Sequence, residues 1–149
     1  MRAVIQRVDR ASVSIHNKEI SSISEGILVL LGVEKNDSKA DADYILDKTI
    51  NLRIFEDETG KMNRSLLDIN GEMIVVSQFT LLASCIKGRR PSFVQAEEPA
   101  RANELYEYFV QEGMQRIKKL ACGKFQEMMQ VELINNGPVT ILLDSKKNF

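Results

Sequence analysis

Gly26-Ile27-Leu28-Val29-Leu30-Leu31-Gly32-Val33 is the stretch on which the fold turns. Aliphatic residues fill the space between the two glycines over the length of a strand, with no polar face, so the segment reads as a strand covered on both sides. Its neighbours then have to supply those two covers. On the N-terminal side, Arg2 to Val8 and Ala11 to Ile15 alternate, the second run with Ala11, Val13 and Ile15 on one face and Ser12, Ser14 and His16 on the other. Joined at Asp9-Arg10, the two runs predict a hairpin.

On the C-terminal side, Ser38 and Asp41 approximate a capping box, and Ala42, Ile45, Leu46, Thr49 and Ile50 follow at helical spacing, which predicts a helix over 38–51. Arg53 to Phe55 reads as a short strand closed by the turn Glu58-Thr59-Gly60. Asn70-Gly71 is a two-residue hairpin signal between Leu66–Ile69 and Met73–Val76. Pro99 suits a first helical turn, and Ala102, Leu105, Tyr106, Phe109, Val110, Met114 and Ile117 continue it as an apolar stripe to about Leu120; the aromatics of this stripe are read as packing. Phe125 to Ile134 and Val139 to Leu143 complete the pattern on either side of Gly137-Pro138. The order β-β-β-α-β-β-β-α-β-β predicts an α+β fold, a mainly antiparallel sheet that is rolled or barrel-like and carries two helices. At 149 residues the default is one domain spanning 1–149, long enough to bury roughly 70% of its unfolded surface.

Composition removes several kinds of function. With 20 basic and 21 acidic residues the formal net charge is -1, so no global field recruits a polyanion and any nucleic-acid contact must come from a local patch; Lys87-Gly88-Arg89-Arg90 is the candidate. No run approaches the ~20 apolar residues of a membrane span, and only two cysteines are present, so the expected setting is cytoplasmic and reducing, away from membranes. Cys85 and Cys122 have no companions at ligand spacing, so neither a metal nor another cofactor is expected. The sole histidine, His16, sits in what reads as a strand end and turn. Chemistry by a side-chain nucleophile with a histidine base would have to use that one residue.

Two segments stand where strand-forming runs stop: Ser77-Gln78-Phe79-Thr80-Leu81 and Asn135-Asn136-Gly137-Pro138-Val139-Thr140. Both read as exposed ends of buried strands, where a site can be built. Together with Met1 to Val8, Asn51-Leu52-Arg53-Ile54-Phe55, Lys87-Gly88 and Arg90-Pro91-Ser92-Phe93, they closely resemble the D-aminoacyl-tRNA deacylase family, in order and over nearly the whole chain.

That resemblance implies a homodimer which hydrolyses the ester joining a D-amino acid to the terminal adenosine of tRNA, with glycyl-tRNA a further substrate. It implies that Ser77, Gln78, Phe79 and Thr80 line the site, with Phe79 near the adenosine and main-chain groups near the scissile ester. Gly137-Pro138 of the partner subunit would enter that site in the cis form and exclude an L side chain. Asn135, Val139 and Thr140 belong to the same motif, Arg7 would fix its loop, and Lys87, Arg89 and Arg90 would face tRNA phosphates. The sequence departs from the family pattern at Ala83-Ser84-Cys85, Arg89, Gln126-Glu127 and Asn136, the last where Asp is common.

An aminoacyl ester is already activated, so positioning and oxyanion stabilisation suffice without a strong nucleophile. The substrate's 2′-hydroxyl is available to carry the proton, in keeping with the missing histidine base. Thr80 as a nucleophile is the rival reading, weakened by the absence of a base beside it. Gln78, which does not titrate, reads as an orienting amide. From the residues alone, Gly137-Pro138 also fits an ordinary trans turn. Two other functions stay open at this point: a non-catalytic nucleic-acid-binding β module that stacks bases on Phe79, and a small-molecule-binding dimeric barrel.

Overall fold

The computed structural model describes residues 1–149. Its strands are β1 (Arg2–Ile15), β2 (Lys18–Ile23), β3 (Gly26–Gly32), β4 (Phe55–Glu56), β5 (Met62–Arg64), β6 (Glu72–Ser77), β7 (Leu120–Cys122) and β8 (Gln130–Asp144); the helices are α1 (Lys39–Asn51) and α2 (Pro99–Arg116). The main sheet runs β2-β1-β3-β6-β7, and β8 lies along the other edge of β1. The sheet is mixed, which corrects the mainly antiparallel expectation: β1 pairs antiparallel with β2, β3 and β8, whereas β3–β6 and β6–β7 are parallel. It curls until β2 meets β7, where the Ser21 hydroxyl donates to the Cys122 carbonyl at 2.9 Å. The result is a nearly closed roll with two helices packed outside it.

β3 is covered on both faces, as its composition predicts. Ile27, Val29 and Leu31 point into a core shared with Ile45, Leu46 and Ile50 of α1 and Leu105, Tyr106 and Phe109 of α2. Leu28 points the other way, into a second cluster with Val8, Ala11, Val13, Ile23, Ile74 and Val76. A strand between two apolar layers cannot carry polar side chains without leaving them unpaired. α1 begins where expected: the Asp41 carboxylate accepts from both the Ser38 N–H and the Ser38 hydroxyl at 2.8 Å.

Two expected hairpins are not hairpins. Asp9-Arg10 is not a turn, because β1 continues through it from Arg2 to Ile15 and bends there at irregularities in its pairing. The turn falls instead at His16-Asn17, where both residues have positive φ (50° and 62°) and Ile15 pairs with Lys18, the geometry of a two-residue hairpin loop. Asn70-Gly71 ends a compact turn rather than joining two strands. Leu66–Ile69 is not extended, because the Asp68 carboxylate captures the Ser65 N–H and hydroxyl at 2.8 and 2.7 Å, and the Gly71 N–H returns to the Leu66 carbonyl. β6 therefore finds its partner in β3 and runs parallel to it. Phe125 to Met129 is likewise turn before strand, and the two C-terminal strands fuse into β8, which begins at Gln130.

Candidate active site

β6 ends at Ser77, and the chain then winds into a short 3-10 turn, Phe79–Leu82. The Gln78 N–H is still held by the Leu31 carbonyl of β3 at 2.8 Å, while the Gln78 carbonyl accepts the Leu81 N–H at 3.2 Å. The turn approaches β3 this closely because residue 32 is glycine: a Cβ there would lie 2.9 Å from the Gln78 oxygen and 2.6 Å from Leu82 Cδ2. Gln78 Nε2 donates to Thr80 Oγ1, which ties these two polar side chains together. Phe79 is 58% exposed despite its size, and its ring meets Phe93 edge to face with centroids 5.0 Å apart.

Ser77, Gln78 and Phe79 form one wall of a cavity of about 630 Å³. Tyr106 and Ala102 of α2 form another, and Phe125 to Met129 a third. Sequence reasoning assigned Tyr106 to packing, and it does belong to the core, yet its hydroxyl donates to the Val75 carbonyl at 2.9 Å and its ring lines the cavity. Burial, reinforced by Cys122 nearby, pushes the Tyr106 phenol far above its usual value, so it stays a donor. The wall at 125–129 was missed outright. Its one sequence signal is the break in alternation at Gln126-Glu127, where Gln126 takes φ 61°.

The second segment is a bulge. Gln6 pairs with Thr140 and Val8 with Asn135, so a single β1 residue, Arg7, faces residues 136–139 of β8. One step further, Val8 pairs with Asn135 but Arg10 with Ile134, which leaves Asp9 without an opposite residue. The extra β8 residues leave the ladder and form the exposed Gly137-Pro138 step, whose peptide is cis. Side-chain amides hold both legs of this turn. Asn135 Oδ1 accepts the Val139 N–H at 2.8 Å, and Thr140 Oγ1 accepts from Asn135 Nδ2 at 3.2 Å and from Gln6 Nε2 at 3.3 Å. Arg7, only 7% exposed, sits beneath. Its Nε donates to the Asn136 carbonyl at 3.1 Å, Nη2 to Asn136 Oδ1 at 3.3 Å, and Nη1 to the Ile54 carbonyl at 2.6 Å. Gly137 has φ 121°, and a Cβ there would lie 2.7 Å from Arg7 Nη2.

The two segments do not meet within one chain. The turn lies on β8 beside the Arg7–Ile27 rung, and Ser77 lies on β6 beside Leu31. Three strand spacings and four residues of rise separate them by roughly 14 Å across the sheet and roughly 13 Å along it. Lys87, Arg89 and Arg90 stand fully outside, on a loop closed by the Ser84–Ser92 bridge, and none forms an ion pair in the chain. His16 is in the β1–β2 turn, away from all of these residues.

Residues 4–144 match the family model described as D-Tyr-tRNA(Tyr) deacylase. Over 149 residues, covering all of both chains, the protein is 61% identical to the D-aminoacyl-tRNA deacylase of Syntrophus aciditrophicus (strain SB) and 54% identical to that of Clostridioides difficile (strain 630). A solved structure described as c-Myc DNA Unwinding Element Binding Protein superposes with a TM-score of 0.92 at 41% identity, over 97% of this chain and 98% of that one. A second, described as a probable eukaryotic D-amino acid tRNA deacylase, gives a TM-score of 0.81 over 95% and 97% of the two chains; at 15% identity it speaks for the fold alone.

Proposed function

The chain belongs to the D-Tyr-tRNA(Tyr) deacylase family and is a hydrolase of D-aminoacyl-tRNA; we propose that it works at a site completed by a second copy of itself. The observation that carries this reading is the separation just described. A bulged Gly137-Pro138 turn, stiffened from below by Arg7 and projecting outward, has nothing in its own chain to act upon. Ser77, Gln78 and Phe79 open on a cavity that their own chain leaves unfilled, with Thr80 just outside its lining and tied to Gln78. Docking one onto the other in a homodimer satisfies both.

In this arrangement the terminal adenosine occupies the cavity beside Phe79, whose exposed ring offers a face for stacking; about 630 Å³ lies within the 300–1,000 Å³ usual for small-ligand pockets. The aminoacyl ester then lies over the start of the 3-10 turn. Main-chain N–H groups at the beginning of such a turn have no carbonyl partner within it, and they face the oxygen on which charge develops. Gln78 and Thr80, linked to each other, orient the ester and water. No residue of the segment is a base, so the substrate's 2′-hydroxyl carries the proton. The partner's Gly137-Pro138 carbonyls hold the substrate ammonium and leave no space for an L side chain, while D-amino acids and glycine pass. Lys87, Arg89 and Arg90, free of internal partners, meet the tRNA backbone.

The test is release of amino acid from purified D-aminoacyl-tRNA, its L counterpart, and a substrate ending in 2′-deoxyadenosine. Rapid release from the D ester, little from L, and little from the deoxy substrate is the expected result. Thr80→Ala should slow the reaction by loosening Gln78 and the ester, yet keep substantial deacylation, because the hydroxyl is not the nucleophile. A dead Thr80→Ala enzyme with the deoxy substrate still cleaved makes Thr80 the nucleophile. The likeness to a protein described as binding a DNA unwinding element gives the nucleic-acid-binding reading its place as an outcome: tight tRNA binding without amino-acid release would establish it.

A further inference from the structure

We propose that Asn136 is a positioning residue for chiral selection, its amide linking the Asp9 carboxylate to the Arg7 guanidinium so that the Gly137-Pro138 turn is held in one orientation. The proposal rests on the reading of that turn as the selective element.

The link exists because two bulges face each other. The surplus on β8 begins at Asn136, the surplus on β1 is Asp9, and both flank Arg7. Residues that would point to opposite sides of a regular ladder are thereby brought to one place, the re-aiming that bulges perform. Asn136 uses three groups at once. Its carbonyl and its Oδ1 accept from Arg7, at 3.1 and 3.3 Å, and its Nδ2 donates to Asp9 Oδ1 at 2.5 Å. Arg7 anchors the assembly to the fold through the Ile54 carbonyl.

Only an amide fits this position. Its oxygen must accept from a cation while its nitrogen donates to an anion, and among side chains of this size only asparagine carries acceptor and donor on two separate atoms that reach both partners. With aspartate at 136 the Arg7 contact would survive, but the second carboxylate oxygen would stand against Asp9 where a hydrogen bond of 2.5 Å now lies. Two carboxylates so placed cannot both stay ionised at low cost, and one takes up a proton. Arg7 and Arg64 offset this only in part, because two further carboxylates share their surroundings. Glu25, Glu56 and Arg64 line the hollow of about 320 Å³ beside Arg7 and Asn136, and Arg10, the nearest further cation along β1, is directed to Glu132 at 3.9 Å. The pair Asp9 and Asn136 is thus one design with the charge on β1; aspartate at 136 requires a neutral partner at position 9.

The experiment compares deacylation of matched D- and L-aminoacyl-tRNA from pH 5.5 to 8.5 (roughly the range over which a shared carboxyl proton is lost) by wild type, Asn136→Asp, and Asp9→Asn/Asn136→Asp. Melting curves report folding. Asn136→Asp is expected to lose about tenfold to a hundredfold in D-ester hydrolysis at the alkaline end, the scale for misplacing a positioning group. It should also narrow the D/L ratio and recover towards the acid end as one carboxyl protonates. The double variant moves the charge across the bulge and should regain wild-type rate, ratio and pH profile. A wild-type ratio and profile in folded Asn136→Asp overturns the proposal, as does a loss that the double variant fails to restore. Should Asn136→Asp fail to fold, the folded double variant decides alone. Gly137→Ala separates this from the premise: if it too keeps the wild-type D/L ratio, the turn is not the selective element. An altered ratio in Gly137→Ala beside wild-type behaviour in Asn136→Asp overturns the role of Asn136 only.

Discussion

Replacing Arg7 by lysine keeps the charge and most of the length but removes the planar fork, and three contacts depend on that fork. They run to the Ile54 carbonyl at 2.6 Å, the Asn136 carbonyl at 3.1 Å and Asn136 Oδ1 at 3.3 Å. An ammonium reaches one of them, because its donors diverge from a single atom. Two hydrogen bonds from a charged donor are lost, each typically worth ~1.5–3 kcal/mol. Water in the adjacent hollow reaches the Asn136 groups and returns part of this, whereas the Ile54 carbonyl is bonded at a buried site. The net loss comes to about 2–3 kcal/mol, and at about 2–4 °C per kcal/mol for a chain of this size the melting temperature should fall by roughly 5–10 °C. The same change frees the turn, so deacylation of the D ester should fall further than melting implies, and the D/L ratio should narrow. The assays are a thermal melt followed by tyrosine fluorescence, and amino-acid release from both esters well below the variant's melting point. A variant that melts within about 2 °C of wild type and keeps its D/L ratio would refute the claim that this guanidinium clamps the turn.

Two more predictions concern the scaffold. Gly26 sits between β1 and β6, and a Cβ there would lie 1.8 Å from the Glu72 carbonyl oxygen, so Gly26→Ala must force β3 and β6 apart. A cost of ~3 kcal/mol or more in urea unfolding is expected, at the upper end for overpacking, and an unchanged midpoint would show that the strands yield freely. Acid should unfold the protein through Asp41, Glu72 and Asp144. Burial raises each, but it is outweighed by bonds from Ser145 and Ser38 to Asp41, from Lys119 and Ser24 to Glu72, and from Asn148 and Lys146 to Asp144, so all three lie below the ordinary carboxylate values of 3.8 and 4.5. A depressed folded-state value gives stability that is present above the unfolded value and lost as pH falls through the folded one. The urea midpoint should therefore hold from neutrality to about pH 5 and drop below about pH 4, softened by Asp37, which burial moves the opposite way. Glu72→Gln should shrink that drop, and an equal drop would remove Glu72 from the account.

How legible was all this in the residues? β3 and both helices follow from composition and spacing, because burial on two faces or on one stripe leaves a pattern that survives any tertiary arrangement. The pairing of β6 was not legible. Asn70-Gly71 is a genuine turn, but parallel or antiparallel pairing depends on where β3 lies, which no local signal carries. At Asp9-Arg10 the interruption of the alternation is real, and its cause is a bulge; hairpin and bulge leave the same polar trace in a strand. The site divides similarly. Ser77 to Thr80 announces itself as a strand ending. Gly137-Pro138 announces a break in a strand-forming run, but the break is a bulge within β8 and not a strand end, and Asp9 and the 125–129 wall gain their places only from register and closure of the roll. Asn136 was visible as a departure, without the neighbour that explains it.

β1 also has a history in time. Its inner edge meets β2 and β3 within the first 32 residues, but its whole outer edge waits for β8, with partners from Ser14–Gln130 to Arg2–Asp144. At a synthesis rate of about 5–20 residues per second, that edge stays bare for on the order of ten seconds. A long bare strand edge is an invitation to another nascent chain. The bend at Asp9, with charged Asp9 and Arg10 at its crest, sits in the middle of that edge, so the irregularity that aims the turn in the finished molecule also shields the unfinished one.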